Sequence, residues 1–458
     1  MRIVVCVRQG LDGEINPFDA SAYEAALRVA SAEVILLSMA PASAKDFLLS
    51  LTRLGARRAV LLSDKAFAGA DTLATAYALS LAIRRLSPDL VFCGRQTLVG
   101  DTAQTGAMLA EMIGYSLLTG VLSIDEIGDT LTCTTRMSGK ETVSLPALLT
   151  VERINTLRFP GIFSRTGEVE LLTAADLGAD PERCGLRGSP TRVLATAENV
   201  SGKRKCKWIA PTEIHEIVNE SRHLKAKALP LDENRTTLDG VYAVGEEVLE
   251  MASRVSDSVK VLAKTDADTI ADIIAKEKPK AVLWASDEWS KRTAATVATR
   301  LSLGLCADCT ALESDGERLV MYRPALSGSI IAKIVSNTTP AMATVRTQSD
   351  ADDIVVAIGY GAKDSIEGAK AFASRLGASL AASRKVVDND LLPYPLQVGL
   401  TGKTVAPPVY IALGISGAVH HIAGMQNAGT VIAVNPDKDA PIFEYADYGI
   451  LAKVEDIL

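Results

Sequence analysis

The N-terminal part of the chain alternates between short apolar runs and longer segments in which apolar and polar residues mix. The apolar runs predict buried strands at 1–7, Glu33–Met39, Ala59–Leu62 and Asp89–Gly94. The mixed segments between them predict three helices, at 19–31, 43–55 and 71–86. Because strand and helix alternate, this pattern predicts a parallel α/β domain.

Parallel sheets bind ligands beyond the carboxyl ends of their strands. Here those ends have the sequences Val7-Arg8, Met39-Ala-Pro41 and Cys93-Gly-Arg-Gln96. We therefore expect a ligand site at this edge of the sheet.

An internal repeat extends the pattern. Pro88–Gln96, a helix and Leu117–Leu122 form the first copy, and Pro279–Ser286, a helix and Cys306–Leu312 form the second. The copies end alike, in Leu145-Pro-Ala-Leu-Leu-Thr-Val-Glu-Arg153 and Thr339-Pro-Ala-Met-Ala-Thr-Val-Arg346. Two pseudo-symmetric α/β domains are predicted at 1–200 and 238–350, joined by a charged linker at 201–237 and followed by a distinct domain at 351–458.

The C-terminal domain contains a Gly- and Thr-rich loop, an apolar strand and a second Gly-Ser-Gly turn. The loop is Gln397–Thr404, and the strand and turn are Tyr410–Gly417, with a helix expected from about Ala418. Such an arrangement points backbone N–H groups at one spot, which suits an anionic ligand. A nucleotide P-loop is excluded, because its spacing requires Gly where Gln397 stands.

Composition narrows the protein class. A chain of 458 residues has room for about three domains. The net charge of −7 argues against a nucleic-acid partner, and no apolar run reaches the ~18 residues of a membrane span. Seven scattered cysteines predict a reducing compartment, so we expect a cytoplasmic protein without membrane insertion.

The C-terminal stretch resembles the flavin-binding segment of the electron transfer flavoprotein α subunit. The similarity continues through Asn435-Pro-Asp437, Ala440–Phe443 and Ala446–Gly449, with His420 where that family usually has Gln. The whole chain resembles the β subunit fused to the α subunit, and the fusion predicts a monomer. The resemblance implies two adenine-nucleotide-binding-like domains and a doubly wound FAD-binding domain.

The resemblance also implies how FAD is held in the last domain. Arg384 would lie over the flavin ring, Thr401 near its N5, His421 at its N1–O2 edge, and Asn435 and Asp447 at the adenosine end. Further expected contacts are Ser383, Gln397, Val398, Gly399, Gly402, Ser416, Gly417, Ala418 and His420.

Three of these positions leave alternatives open. His421 could instead be a structural histidine, and His420 either replaces the glutamine hydrogen bond or faces solvent. Tyr360 stands where family members usually have Arg near the pyrophosphate, so Ser383 and Arg384 should contribute more there.

A second nucleotide site is expected at Gly100–Thr105, which follows a strand and opens a helix. Taken alone, this loop could simply be a helix cap. By resemblance it binds AMP or, in electron-bifurcating members, a second FAD. Gly-Asp-Thr-Ala-Gln104, Ser63–Thr72, Ala307–Thr310 and Arg323–Gly328 resemble the bifurcating type, whereas Thr105 and a shortened hairpin before Asn16 do not. The expected contacts are Cys6, Asn16, Asp64, Asp101, Thr102, Ala103, Gln104, Thr105 and Arg323.

Two further motifs have a functional and a structural interpretation. Cys306-Ala-Asp-Cys309 suggests redox or metal chemistry, but without a second pair at metal-ligand spacing we interpret it as structural and expect no metal. Arg158–Arg165 places two phenylalanines in a short loop that resembles the β subunit's recognition loop for a flavoprotein dehydrogenase, such as an acyl-CoA dehydrogenase. Core packing under the linker is the alternative for this loop.

The sequence thus predicts a flavoprotein that passes electrons through FAD between a dehydrogenase and another acceptor. The favoured form oxidises NADH and bifurcates electrons through a second FAD, with NAD(H) as a further ligand. The alternative is a single-electron carrier with one FAD and one structural AMP. An adenine-nucleotide sensor is disfavoured by the nearly complete flavin motif.

Overall fold

The computed structural model describes residues 1–198, 203–222, 235–326, 328, 330–347, 353–399 and 402–458. The chain folds into two compact units. The first comprises residues 1–196, 234–326 and 332–345. The second comprises residues 197–233, 327–331 and 346–458.

A nine-stranded sheet forms the first part of unit 1, in the order β7-β6-β5-β8-β4-β1-β2-β3-β9. The central strands are parallel, and β6 and β7 extend the sheet as antiparallel strands. Its strands are β1 (Arg2–Cys6), β2 (Glu33–Met39), β3 (Arg58–Leu62), β4 (Leu90–Gly94), β5 (Ser116–Ile127), β6 (Thr130–Thr135), β7 (Gly139–Ser144), β8 (Ala147–Val151) and β9 (Glu168–Leu172). The helices are α1 (Pro17–Leu27), α2 (Lys45–Thr52), α3 (Thr72–Leu86) and α4 (Thr105–Ile113).

After strand β10 (Thr191–Glu198), the described part of the predicted linker is not an extended connector. Residues 203–222 form strand β11 (Lys207–Trp208) and helix α5 (Ile214–Ser221). Ile214, Ile217 and Val218 are buried in the hydrophobic core of unit 2 because they share one face of α5. This stretch is therefore an integral part of that unit.

The second part of unit 1 repeats the first. Its parallel sheet has the order β13-β12-β14-β19-β15, which matches β2-β1-β4-β8-β5 in the first sheet. The elements are β12 (Val241–Val244), α6 (Leu249–Ser253), β13 (Val259–Leu262), α7 (Ala267–Glu277), β14 (Ala281–Ala285), α8 (Glu288–Leu301), β15 (Leu305–Cys309), β16 (Ala311–Ser314), β17 (Leu319–Ala325), β18 (Ile330–Ser336) and β19 (Ala341–Val345). A four-stranded sheet, β10-β18-β17-β16, completes this part.

The two copies share helix-capping chemistry. Asp71 accepts hydrogen bonds from backbone N–H groups in the first turn of α3, and Asp287 does the same for α8. Ser87 and Ser302 end these helices in the left-handed conformation. Apolar faces of α3, α4, α7 and α8 meet in one hydrophobic core. The repeat predicted from the sequence is thus present in both topology and packing.

Unit 2 contains a six-stranded parallel sheet, β11-β24-β23-β22-β20-β21. Every residue of β20, β22 and β23 is buried, as expected for a sheet covered on both faces. The remaining elements are β20 (Ile354–Ile358), α9 (Ile366–Leu376), β21 (Ser379–Ala382), α10 (Arg384–Asp388), β22 (Val409–Leu413), α11 (Val419–Ile422), β23 (Thr430–Val434) and β24 (Tyr448–Ile450). The predicted α/β class with parallel sheets is confirmed.

The helix ends predicted from the sequence were less accurate than the predicted strand ends. The helix expected at 19–31 runs from Pro17 to Leu27, because Pro17 occupies the first helical position and the chain turns before Ser31, which has a φ of 58°. The helix expected at 43–55 is α2, which follows a 3-10 turn and ends before Gly55. In the described part of the chain, no helix combines the length and apolarity needed to span a membrane.

Candidate functional site

A cavity of about 610 Å³ lies in unit 1, between the two halves of the repeat. Strand ends named from the sequence line it, including Val7-Arg8, Met39 and Cys93–Gln96. Residues of four separate segments also line it: Phe67 and Gly69–Thr72, Gly100 with Thr102 and Ala103, Ala307, and Arg323 with Ala325. All four segments that the sequence associates with a second cofactor therefore meet at one cavity.

The loop that leads into α4 has a strained backbone. Asp101 and Ala103 both have a φ of 53°, a left-handed conformation that non-glycine residues rarely adopt. Left-handed residues alternating with right-handed ones turn successive backbone N–H groups towards one side, which makes an anion-binding concavity. Strain of this kind is concentrated at functional sites. The loop is therefore suited to hold phosphate groups beside the first turn of α4.

Several buried polar side chains at this site have atoms without a hydrogen-bond partner among the described residues. Arg323 donates from Nη2 to the Asp101 carbonyl oxygen at 2.9 Å, but its Nε has no partner. The Nε2 of Gln96, which also lines the cavity, has none. Asp101 and Gln104 are buried in the same loop but are not among the residues that line the cavity. Buried polar groups without partners are rare, so these atoms of Arg323 and Gln96 are suited to bind a polar ligand in the cavity.

Other predicted residues of this site have different placements. Cys6, Thr102, Ala103 and Thr105 line the cavity. The Asn16 side chain instead connects the start of α1 to the loop after β4. It donates to the Gln96 carbonyl oxygen and accepts from the Leu98 amide.

Asp64 is similarly bound to its own loop. Its carboxylate accepts from the Ala66 and Ala174 amides, and these two hydrogen bonds lower its pKa. The hydrogen bonds of Asn16 and Asp64 thus indicate a structural role for both side chains, and neither residue is among those that line the cavity.

Asp19 is a cavity-lining residue that the sequence analysis did not single out. Burial raises its pKa to about 7, although hydrogen bonds with Asn16, Arg8 and Gly94 act in the opposite direction. Its position three residues after Asn16, in the first turn of α1, resembles an ordinary helix-capping carboxylate. Only the folded structure shows that this carboxyl group is enclosed at the ligand-binding edge.

A second candidate site lies in unit 2, where glycine loops follow β20 and β22. A Cβ atom at Gly359 would lie 2.1 Å from the Gly414 carbonyl oxygen, and one at Gly417 would lie 2.1 Å from the Ile442 nitrogen. Gly402 is just as close to the Gln397 carbonyl oxygen, at 2.2 Å. Side chains cannot fit at these positions, so the loops present backbone rather than side chains at the carboxyl edge of the sheet.

Positive charge is concentrated beside these loops. Burial, and then the charges of Arg384 and Arg346, lower the pKa of His420. Arg384 also pairs through Nε with Asp388 at 3.0 Å. Lys385 and Lys363 lie over the Tyr360 ring, at 4.1 and 5.4 Å from its centroid. Two lysines thus place positive charge beside Tyr360, the position where the resemblance to the family predicts an Arg.

The remaining predicted residues of this site have defined surroundings. Gln397 and Val398 are buried at the loop, and Ser416 and Ala418 are exposed. Ser383 occupies the N-cap position of α10, but its side chain makes no capping hydrogen bond among the described residues. Gly399 has a φ of 139°. Thr401 lies outside the described residues.

Asn435 and Asp447, predicted at the adenosine end, make contacts within unit 2. Asn435 bridges the Ile415 carbonyl and the Asp437 amide. Asp447 pairs with Arg204 and accepts from the Val431 amide. Whether either residue also contacts FAD stays a prediction.

His421 is buried, and its Nε2 lies 2.9 Å from the Tyr410 hydroxyl. Burial lowers its pKa to about 4, and a backbone hydrogen bond with Val398 opposes part of this shift. The imidazole is therefore neutral near pH 7. Its polarity, rather than a full positive charge, is what it can offer a ligand.

The buried neutral state predicts acid sensitivity. In the unfolded chain the imidazole has a pKa near 6.5 and takes up a proton below that pH. In the folded chain His421 stays neutral down to about pH 4. Stability is therefore complete above pH 6.5 and falls by up to ~3 kcal/mol as the pH drops to 4. In urea unfolding at pH 7.5 and 4.5, His421→Gln should remove this loss. His215→Gln, in an exposed position of the same unit, should retain it. Equal losses in both variants would exclude a neutral buried His421.

The predicted recognition loop is strongly exposed. Phe159, Ile162 and Phe163 are 91%, 92% and 94% exposed, which excludes core packing for their side chains in unit 1. The base of the loop is fixed, because Arg158 donates to Glu24 through Nε and Nη2, both at 3.0 Å. Burial acts to raise the pKa of Glu24, but hydrogen bonds from Arg158 and Arg28 outweigh it and hold that pKa below its usual value.

The cysteine pair at 306 and 309 sits beside the cavity in unit 1. Cys306 lines the cavity, and Cys309 is fully buried. Among the residues that the structure describes, no group of three or more His, Cys, Asp or Glu side chains could hold a metal ion.

Comparisons with known proteins cover most of the chain. Residues 3–177 and 239–381 match the electron transfer flavoprotein domain, and residues 349–426 match the electron transfer flavoprotein FAD-binding domain. The latter range includes the glycine loops and Lys363, Arg384 and Lys385, whereas Arg346 precedes it.

Three curated relatives are named for the beta or alpha subunit of such proteins. The electron transfer flavoprotein subunit beta of Thermoanaerobacterium thermosaccharolyticum is 42% identical, over 42% of this chain and 78% of its own length. The alpha subunit from the same organism is 35% identical, over 42% of this chain and 72% of its own length. The acryloyl-CoA reductase electron transfer subunit beta of Anaerotignum propionicum is 32% identical, over 51% of this chain and 86% of its own length.

Proposed function

Because this chain belongs to the electron transfer flavoprotein family and unites β-like and α-like regions in one polypeptide, we propose that it is an NADH-oxidising, electron-bifurcating member. NADH gives up a hydride, so two electrons enter the chain. One electron leaves for a higher-potential acceptor and the other for a lower-potential acceptor. This chemistry requires a second FAD in addition to the one in the C-terminal domain.

One observation supports a second FAD most strongly. The four segments that resemble the bifurcating type line one cavity of about 610 Å³, and they come from both halves of the repeat. Sites of this volume accommodate drug-sized ligands, typically ~300–1,000 Å³. AMP has less than half the non-hydrogen atoms of FAD, so it would leave much of the lining without a ligand.

The chain's own residues suit the two ends of such a ligand. Gly100–Ala103 and the first turn of α4 would hold phosphates, and the buried Arg323 would lie near the ring. Bound FAD would supply a hydride acceptor. Around it, Arg323 contributes a fixed positive charge in a site largely shielded from water, where charge stabilisation is strong.

The FAD-binding domain would provide the second redox centre. Its glycine loops leave room for the cofactor against the backbone, and Arg384 with Arg346, Lys363 and Lys385 provide positive charge for the pyrophosphate and the ring. This assignment retains Arg384 and the loop around Gln397–Gly402 as the predicted FAD contacts.

Anaerobic titration with NADH tests the bifurcating function. We expect NADH to bleach the flavin absorbance of the purified chain, with two flavins reduced per chain at saturation. A chain whose flavin stays oxidised with NADH, but is reduced by a flavoprotein dehydrogenase and its substrate, would instead be a single-electron carrier. That outcome would overturn the proposal and leave the family assignment intact.

A flavoprotein dehydrogenase of the acyl-CoA dehydrogenase type is the proposed partner. The printed name of the Anaerotignum relative ties that protein to acryloyl-CoA reductase. In this chain the apolar side chains at 159, 162 and 163 are strongly exposed on a loop that Arg158 ties to Glu24, which suits an interface anchor. All seven cysteines are free, which is consistent with the reducing cytoplasm that we propose, and we propose a monomer.

Truncating the loop tests the partner surface. Phe159→Ala and Phe163→Ala should each weaken partner binding by ~10–30-fold, the ~1.5–2 kcal/mol typical of an aromatic anchor. The KM for the partner should rise while the FAD content stays constant. Leu11→Ala provides the matched control, since Leu11 is 82% exposed on another loop. Unchanged partner kinetics in both Phe variants would remove the loop from the interface.

A further inference from the structure

Two thiols face each other on the wall of the unit 1 cavity. Cys6 ends β1 and Cys93 lies near the end of β4, and the two residues are direct partners in the parallel register of these strands. Adjacent strands are ~4.8 Å apart, within the ~4.4–6.8 Å Cα separation of disulfides. Both side chains pack against the same hydrophobic core, and the two thiols interact through a hydrogen bond.

The two thiols differ in accessibility. Cys6 is partly exposed, whereas Cys93 is buried. The hydrogen bond with Cys6, burial and the nearby charge of Asp19 raise the pKa of the Cys93 thiol well above its usual range. Cys6 is therefore the thiol that a small molecule can reach from the cavity. Cys93 is positioned to react second.

We propose that Cys6 and Cys93 form a reversible disulfide on the cavity wall by exchange with a low-molecular-weight disulfide of the glutathione type. The Cys6 thiolate attacks one sulfur of the small disulfide, forms a mixed disulfide and releases one thiolate. The Cys93 sulfur then loses its proton and attacks Cys6, which releases the second thiolate. Two protein thiols are oxidised, one small disulfide is reduced to two thiols, and the two protons balance the two released thiolates.

The position of the pair couples this reaction to occupancy of the cavity. Both cysteines line the cavity, so a bound nucleotide would cover Cys6 and block the first attack. A disulfide formed in the empty cavity would in turn hold the ends of β1 and β4 together beside the ligand. Oxidation and nucleotide binding should therefore compete, whether the cavity takes FAD or AMP.

Peptide mapping of the full chain provides the test. The chain is incubated with oxidised glutathione at pH 8, alkylated and digested with trypsin without reduction. Cys6 lies in peptide 3–8, Cys93 in peptide 86–95, and Cys306 and Cys309 together in peptide 301–318. We expect peptides 3–8 and 86–95 to become linked, with the loss of two hydrogens. FAD or AMP added at 100 times its Kd should slow linkage about a hundredfold, because only about one cavity in a hundred then stays empty.

Single substitutions separate the two steps. Cys93→Ser should accumulate glutathione on Cys6, Cys6→Ser should leave Cys93 unmodified, and Cys184→Ser should behave as wild type. Cys184 is buried in the same unit and is the matched control. Free thiols at both positions after wild-type oxidation, linkage of Cys6 to peptide 301–318, or linkage unaffected by FAD and AMP would each overturn the proposal. A wild-type chain that fails the NADH test but forms the linkage would overturn bifurcation alone.

Discussion

Arg323→Ala is expected to reduce the FAD content from two to one per chain after gel filtration, while the C-terminal FAD stays bound. Arg323 is buried at the cavity and donates to the Asp101 carbonyl oxygen at 2.9 Å, and its Nε has no hydrogen-bond partner among the described residues. Removing a charged hydrogen-bond donor costs ~1.5–3 kcal/mol, which corresponds to ~10–150-fold weaker binding. Isothermal titration with FAD measures this loss directly.

Two variants make the Arg323 experiment specific. Arg323→Lys keeps the charge but not the planar fork, so its affinity should be intermediate. Arg318→Ala is the control, since Arg318 precedes the same strand but is exposed and pairs with Asp315. If Arg323→Ala retains two FAD with unchanged affinity, Arg323 does not contact the second cofactor.

Arg384→Ala is expected to lower the midpoint potential of the C-terminal FAD. Reduction places negative charge on the flavin, and a nearby cation at a partly shielded site stabilises it by ~1–3 kcal/mol. For a one-electron step this equals a shift of ~45–130 mV. Arg384 is 22% exposed and is held by Asp388 on the same short helix. Spectroelectrochemical titration measures the potential without relying on turnover.

The Arg384 result requires controls for charge and for folding. Arg384→Lys should restore most of the potential, because charge is the operative property. Arg375→Ala removes a cation from an exposed position on α9 and should leave the potential unchanged. An unaltered potential in Arg384→Ala, with FAD still bound, would remove Arg384 from the flavin environment.

The strands could be predicted closely because buried parallel strands leave a strong signal. Glu33–Met39 was predicted to the residue, and the other early strands to within two residues at either end. Helix ends depended on local turns, such as the one before Gly55, that apolar periodicity does not reveal. The packing of Ile214 and Ile217 was hidden by the many charged residues around them, so their segment looked like a linker.

The candidate sites could be predicted from the sequence where the residues of the recognised motifs also come together in the fold. Gly100–Gln104 and Arg323 come from distant parts of the sequence, and the fold brings them together. Asp19 was missed because enclosure, not its residue type or spacing, distinguishes it. Conversely, Asn16 and Asp64 fit the nucleotide motif, but their side chains bind neighbouring backbone groups. Hydrogen-bond partners in three dimensions cannot be inferred from one sequence.

The number and identity of bound nucleotides test the central proposal most directly. Acid release from the purified full chain, followed by chromatography, counts FAD and AMP against the protein concentration. We expect two FAD and no AMP per chain, one FAD from the C-terminal domain and the other from the unit 1 cavity. One FAD and one AMP per chain, unchanged after incubation with excess FAD, would contradict the second-FAD site and with it electron bifurcation.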